Sequence, residues 1–127
     1  MNQAAQTRLT KLRDRLTRRR LELRAEVEAA EQGRREASDA DAHEVTDRKD
    51  EAERRLSSDL GGVQEQRDLG EIAQVEAALQ RLDAGTYGDC PDCGKPIPPE
   101  RLRVQPAAER CTPCQTASER AVNRLAL

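Results

Sequence analysis

The 127-residue chain is 36% charged and 35% hydrophobic, contains one aromatic residue, Tyr87, and has a formal net charge of −2. That balance excludes a large aromatic-rich core and suits solvated helices joined to a small cross-linked module, because units below about 40 residues usually need such a staple. No apolar run exceeds three residues, so neither a membrane span nor an export signal is expected, and the expected location is cytoplasmic.

In the first part of the chain, Leu9, Leu16, Leu23, Ala30 and Ala37 repeat at seven-residue steps, with Leu12 and Val27 widening the stripe. This predicts a helix with a coiled-coil seam. Arg19, Glu26 and Gly33 occupy the complementary seam positions, so the helix needs a partner to cover a thin apolar face. Residues 38–47, with three Asp and one each of Ser and Thr, form the most turn-prone stretch. Beyond them, Ala52, Leu56, Leu60 and Val63 form a stripe out of phase with a second one, Ile72, Val75, Leu79 and Leu82. Gly61, Gly62 and Gly70 mark the phase shift. Each costs a helix interior about 1 kcal/mol against alanine, which predicts a kink or local loosening near 61–62. Ala84-Gly85 is a stop signal, with glycine as the C-terminal cap. The simplest arrangement is an antiparallel hairpin over residues 1–85, with acidic residues gathered at a tip near 38–52. A parallel dimer is the rival, but it gives no reason for two matching seams around an acidic turn. Asp47 and Asp50 are placed to act as a helix N-cap and a third-position acid in a variant capping box.

Residues 86–127 contain all four cysteines, as Cys90-Pro-Asp-Cys93 and Cys111-Thr-Pro-Cys114. Two C-x2-C pairs at this spacing fit a tetrahedral four-thiolate site for one Zn²⁺, each pair wrapping one side of the ion. Gly94 gives the first knuckle its backbone freedom. Two disulfides in a secreted module are the weaker alternative. A catalytic zinc is weaker still, since four cysteine ligands leave no open coordination position and the single histidine, His43, lies far off in sequence. The expected fold is therefore mainly α: a long antiparallel hairpin, a four-cysteine zinc-finger module and a C-terminal helix.

The first 35 residues are basic on balance, the following two segments are acidic, and four thiolates around zinc add further negative charge. With no aromatic residues beyond Tyr87 to stack bases, the run Arg18-Arg19-Arg20 reads as a solvated helix face, and direct sequence-specific DNA binding is not expected. No nucleophile paired with a base, phosphate loop or open metal site can be assembled, so no enzymatic activity is expected.

The order of motifs is more specific than any one of them. Asp47-Arg48-Lys49-Asp50-Glu51-Ala52, a D-x-x-D-x-A pattern, is followed by Tyr87-Gly88-Asp89-Cys90, the four cysteines, and Arg101-Leu102 and Pro106 between the two pairs. Over most of 44–120 this resembles the DksA/TraR family of zinc-finger regulators of bacterial RNA polymerase, associated with the stringent response. The resemblance implies that Cys90, Cys93, Cys111 and Cys114 bind zinc. It further implies that a tip bearing Asp47, Asp50 and Ala52 enters the polymerase secondary channel, acts near the active centre and shifts promoter-complex stability and initiation. Members that respond to the alarmone ppGpp carry basic residues where this chain has Gln74, Gln105 and Gln115. Neutral amides cannot make the charge-assisted contacts that hold phosphates, so potentiation by ppGpp is not expected. Two other readings stay open: a zinc finger that binds nucleic acid, and a coiled-coil adaptor with a redox-sensitive zinc site.

Overall fold

The computed structural model describes the backbone of residues 3–41 and 48–126 and the side chains of residues 3–38 and 60–125. Among the described residues the elements are α1 (Gln3–Asp41), α2 (Arg48–Ala84), α3 (Pro99–Val104) and α4 (Thr112–Ala126). No strand forms among them; Asp89 and Pro96 make an isolated antiparallel bridge. None of these helices is long and apolar enough to cross a membrane. The residues group into two compact units, one of Arg19–Ala73 and one of Met1–Arg18 with Gln74–Leu127.

In the Arg19–Ala73 unit, α1 and α2 run antiparallel. Arg19 of α1 makes a two-pronged contact with Glu71 of α2, at 2.5 and 3.1 Å, while Arg34, further along α1, pairs with Glu65, further back along α2. Leu23 is fully buried and Val27 nearly so, as their seven-residue stripe requires. The thin complementary side of the seam is filled by charge: the Glu71 carboxylate, chiefly through its hydrogen bond, holds the Arg19 guanidinium well above its ordinary pKa. Arg34 likewise holds the Glu65 carboxyl below the usual carboxylate range. Asp68 is buried and accepts a hydrogen bond from the Gln64 side chain at 3.0 Å.

Part of the predicted α2 stripe is overturned. Leu60 and Val63 are 64% and 51% exposed, and the side chains of Ala52 and Leu56 lie outside the described residues. The reason is phase. α2 runs unbroken through Gly61, Gly62 and Gly70, so the loosening expected near 61–62 does not interrupt the helix. Stepping back by threes and fours from Leu82, Leu79, Val75 and Ile72 then lands on Asp68 and Glu65, not on the earlier leucines. On α1 the stripe is shorter than its repeat, since Leu9 and Ala37 are exposed. α1 also continues through Ser38 to Asp41, so the first four residues of the predicted turn stretch are helical, and the rest of it, 42–47, lies outside the described residues.

In the other unit, Leu16 of α1, Val75, Ala78 and Leu79 of α2, and Cys90 and Ile97 beyond α2 form the buried core. Arg13 and Asp83 bridge α1 and α2 at 2.5 Å. The predicted stop of α2 is realised as a Schellman turn. Gly85 takes φ 76°; its N–H donates to the Leu82 carbonyl at 3.3 Å, and that of Thr86 donates to the Arg81 carbonyl at 2.9 Å, which satisfies the last carbonyls of the helix.

Candidate metal centre

The first cysteine pair sits in a tight reversal between Gly88 and Ile97. Ile97 N–H donates to the Gly88 carbonyl at 2.7 Å, Cys90 N–H to Lys95 at 3.0 Å, and Gly94 N–H to Cys90 at 2.9 Å. Closing that last turn puts Gly94 at φ 73°, a left-handed conformation that favours glycine. The second pair straddles the start of α4. Cys111 immediately precedes the helix and its carbonyl accepts from Gln115 N–H at 2.9 Å, while Cys114 lies in the first turn of α4.

The four Sγ atoms all lie within 4.8 Å of one another, and Cys93 Sγ is 3.8 Å from Cys111 Sγ. A regular tetrahedron with Zn–S bonds of about 2.3 Å requires S···S separations of about 3.8 Å, whereas a disulfide needs about 2.05 Å. The cysteines are unpaired, so the donor set fits a closed tetrahedral ion. Cys90 is buried, Cys93 exposed, and Cys111 and Cys114 half-buried. The backbone N–H of Cys111, ahead of those of Cys93 and Asp92, brings the Cys90 thiol down to about 6 even though burial opposes it. Cys114 is pushed up, first by its hydrogen bond with the Cys111 thiol and next by that with Cys90. Close-packed sulfurs thus ionise unequally by themselves, and a dication supplies the charge that lets all four bind as thiolates.

The segment between the pairs is held by its main-chain carbonyls. Arg15 of α1 donates to Arg103 at 3.0 Å, Arg81 of α2 to Ala107 at 3.5 Å, the Tyr87 hydroxyl to Pro106 at 2.7 Å, and Arg101 of α3 to Arg110 at 2.9 Å. Burial raises the Tyr87 phenol above its ordinary pKa, against the opposing charges of Arg81 and Arg15. Arg110 in turn pairs with Asp92 at 2.8 Å. Sequence reasoning picked out Tyr87 and Arg101 as motif residues but missed Arg15, Arg81, Asp92 and Arg110. A carbonyl acceptor leaves no mark in sequence, though the opposite charges beside the two cysteine pairs were a usable signal.

The other predicted residues are placed as follows. Asp47 lies outside the described residues; Asp50 and Ala52 belong to α2, with side chains outside them. Gln74 is exposed on α2. Gln105 caps α3, its N–H donating to the Arg101 carbonyl at 2.8 Å. Gln115, half-buried on α4, donates its side-chain amide to Glu119 at 3.1 Å.

Comparison with known proteins agrees with this geometry. The prokaryotic dksA/traR C4-type zinc finger matches residues 85–120. The RNA polymerase-binding transcription factor DksA of Haemophilus influenzae is 36% identical over 92 residues, which are 66% of this chain and 62% of that protein. DksA of Caulobacter vibrioides is 37% identical over 49 residues, 39% of this chain and 34% of its own. The matches thus span less than two thirds of these relatives' length. The structure of transcription factor DksA2 from Pseudomonas aeruginosa superposes with a TM-score of 0.72 at 28% identity, over 92% of this chain and 87% of that one. The cofactor is one Zn²⁺, as the C4-type finger and the four convergent sulfurs require. With the hairpin, the zinc module and both kinds of likeness in agreement, the chain belongs to the DksA/TraR family of zinc-finger proteins.

Proposed function

We propose that this chain regulates transcription by binding bacterial RNA polymerase, inserting a hairpin tip into the secondary channel and altering promoter-complex stability and initiation. The observation that carries the reading is the likeness to a DksA2 structure over 92% of the chain, joined to the helical pair and the four-cysteine module that follows it in this chain. In this reading residues 1–85 are the hairpin, with its acidic tip near 38–52, and residues 86–127 are the zinc module, with Cys90, Cys93, Cys111 and Cys114 as ligands. A pair of antiparallel helices is narrow enough for a channel that excludes a globular domain. Carboxylates at its end act on basic groups, mobile loops or bound magnesium without covalent chemistry. The protein then works by shifting a conformational balance of the promoter complex, not as an enzyme, and does so in the cytoplasm.

Asp47, Asp50 and Ala52 are the proposed tip residues. Gln74, Gln105 and Gln115 leave a phosphate ligand without cationic partners, so regulation proceeds to a similar extent with and without ppGpp. The test is competition binding to core polymerase together with an initiation assay on a promoter that forms short-lived complexes. Replacing residues 38–52 by a short turn, and separately Asp50→Asn, is expected to abolish the effect on initiation, with Asp50→Asn leaving binding largely intact. Failure of the intact protein to bind core polymerase, or full activity of an Asp47→Asn, Asp50→Asn double variant, would overturn the reading.

A further inference from the structure

We propose that the Asp92–Arg110 ion pair is a clamp that holds the two cysteine knuckles against each other and slows loss of the metal, with both residues acting as positioning residues. The inference rests on ligation of Zn²⁺ by the four cysteines. The knuckles come from separate stretches of chain, and among the described residues no hydrogen bond between main-chain groups joins residues 88–97 to residues 108–115. What joins them, besides the thiol cluster and the Cys111 N–H that meets the Cys90 sulfur, is a side-chain pair. Asp92 lies between the two cysteines of the first knuckle and Arg110 directly precedes the first cysteine of the second. Arg110 Nε donates to Asp92 Oδ2 at 2.8 Å.

Arg110 is fixed at both ends. Its carbonyl accepts from Arg101 Nε of α3 at 2.9 Å, and its side chain, 27% exposed against 46% for that of Asp92, also reaches Glu109 at 3.3 Å. A closed four-thiolate site releases metal when one knuckle swings away and a sulfur is protonated or taken by a competitor. A cation anchored through its own backbone and paired across the gap opposes that movement. Groups outside the ligand set commonly tune metal affinity in this way by fixing ligand orientation.

The experiment follows transfer of zinc from the full-length, zinc-loaded protein to the chromogenic chelator 4-(2-pyridylazo)resorcinol at constant pH. Metal content is measured at the start and helicity by circular dichroism. Arg110→Ala and the near-isosteric Asp92→Asn are each expected to start with one zinc, keep wild-type helicity and release the metal at least about threefold faster, as suits a partly exposed ion pair. The double variant is expected to be no faster than either single one, Arg110→Lys to recover part of the loss, and the differences to shrink in high salt. Wild-type release rates in both single variants would overturn the clamp. So would fast release in Arg110→Ala with an unchanged rate in Asp92→Asn, which would leave only the effect of a cation near the thiolates. A wild-type protein that carries no zinc would refute the ligation itself, and the clamp with it.

Discussion

Tyr87→Phe isolates one hydroxyl at the join between α2 and the zinc module. The phenol donates to the Pro106 carbonyl at 2.7 Å, and phenylalanine keeps the half-buried ring while removing that donor. A neutral hydrogen bond of this kind contributes about 1 kcal/mol net, with the carbonyl left unsatisfied adding to the cost. With a urea m-value of about 2 kcal/mol/M, the midpoint of zinc-loaded protein at pH 7 should fall by roughly 0.5 M. Because Tyr87 is the sole tyrosine and there is no tryptophan, absorbance near 295 nm titrates this group alone. Burial raises its pKa above 10.0, so the folded state favours the protonated phenol. The sign follows: the stabilisation is complete below the unfolded-state value and is lost as pH rises through the folded one, so the wild-type advantage over Tyr87→Phe should shrink above pH 10. A phenol that titrates at or below 10, or an unchanged midpoint in Tyr87→Phe with a large loss in Tyr87→Ala, would refute the tether and leave only ring packing.

Removing zinc with a chelator should take one ion per chain and unfold the module while α1 and α2 keep most of their helical signal, and release should quicken as pH falls because protons compete for the thiolates; paired metal analysis and circular dichroism check both. Gly85→Ala, at φ 76° with open space around the glycine, should lower stability by roughly 1 kcal/mol through the left-handed backbone alone, measured by urea unfolding.

The metal centre was legible because its chemistry is written in adjacent residues. Cys90, Cys93, Cys111 and Cys114 are ligand types at ligand spacing, and Gly85 and Gly94 mark turns through a conformation that favours glycine. The carbonyl contacts of the framework around the centre were not legible, although Tyr87 and Arg101 stood out as motif residues. Arg15, Arg81, Tyr87 and Arg101 all donate to main-chain oxygens, and any residue can supply such an oxygen. Their partners depend on how the chain is routed, which neither hydrophobic period nor charge pattern encodes. In a module with so little apolar material, those bonds do the ordering that aromatic packing does elsewhere.

The seam shows the converse, a pattern present in the sequence but misread through its glycines. Leu60 and Val63 invite assignment to a buried stripe because they are the apolar residues available, yet a continuous helix fixes the face by geometry. The face inherited from Val75 and Leu79 meets Asp68 and Glu65 there. Three glycines, at about 1 kcal/mol each, are a tolerable cost when flanking turns are pinned, and a phase shift would have sacrificed the pairs that Arg19 and Arg34 make across the seam. Among the described residues, the Arg19–Ala73 unit therefore rests on a few apolar residues, such as Leu23 and Val27, and on charged pairs whose side chains are in part exposed. Such pairs contribute less than buried hydrocarbon and weaken with salt. The unit bounded by the zinc module instead combines a core running from Leu16 to Ile97 with carbonyl tethers and a metal. Stability is thus concentrated where the chain is cross-linked, and among the described residues the Arg19–Ala73 helical pair keeps its register through charge at least as much as through apolar packing.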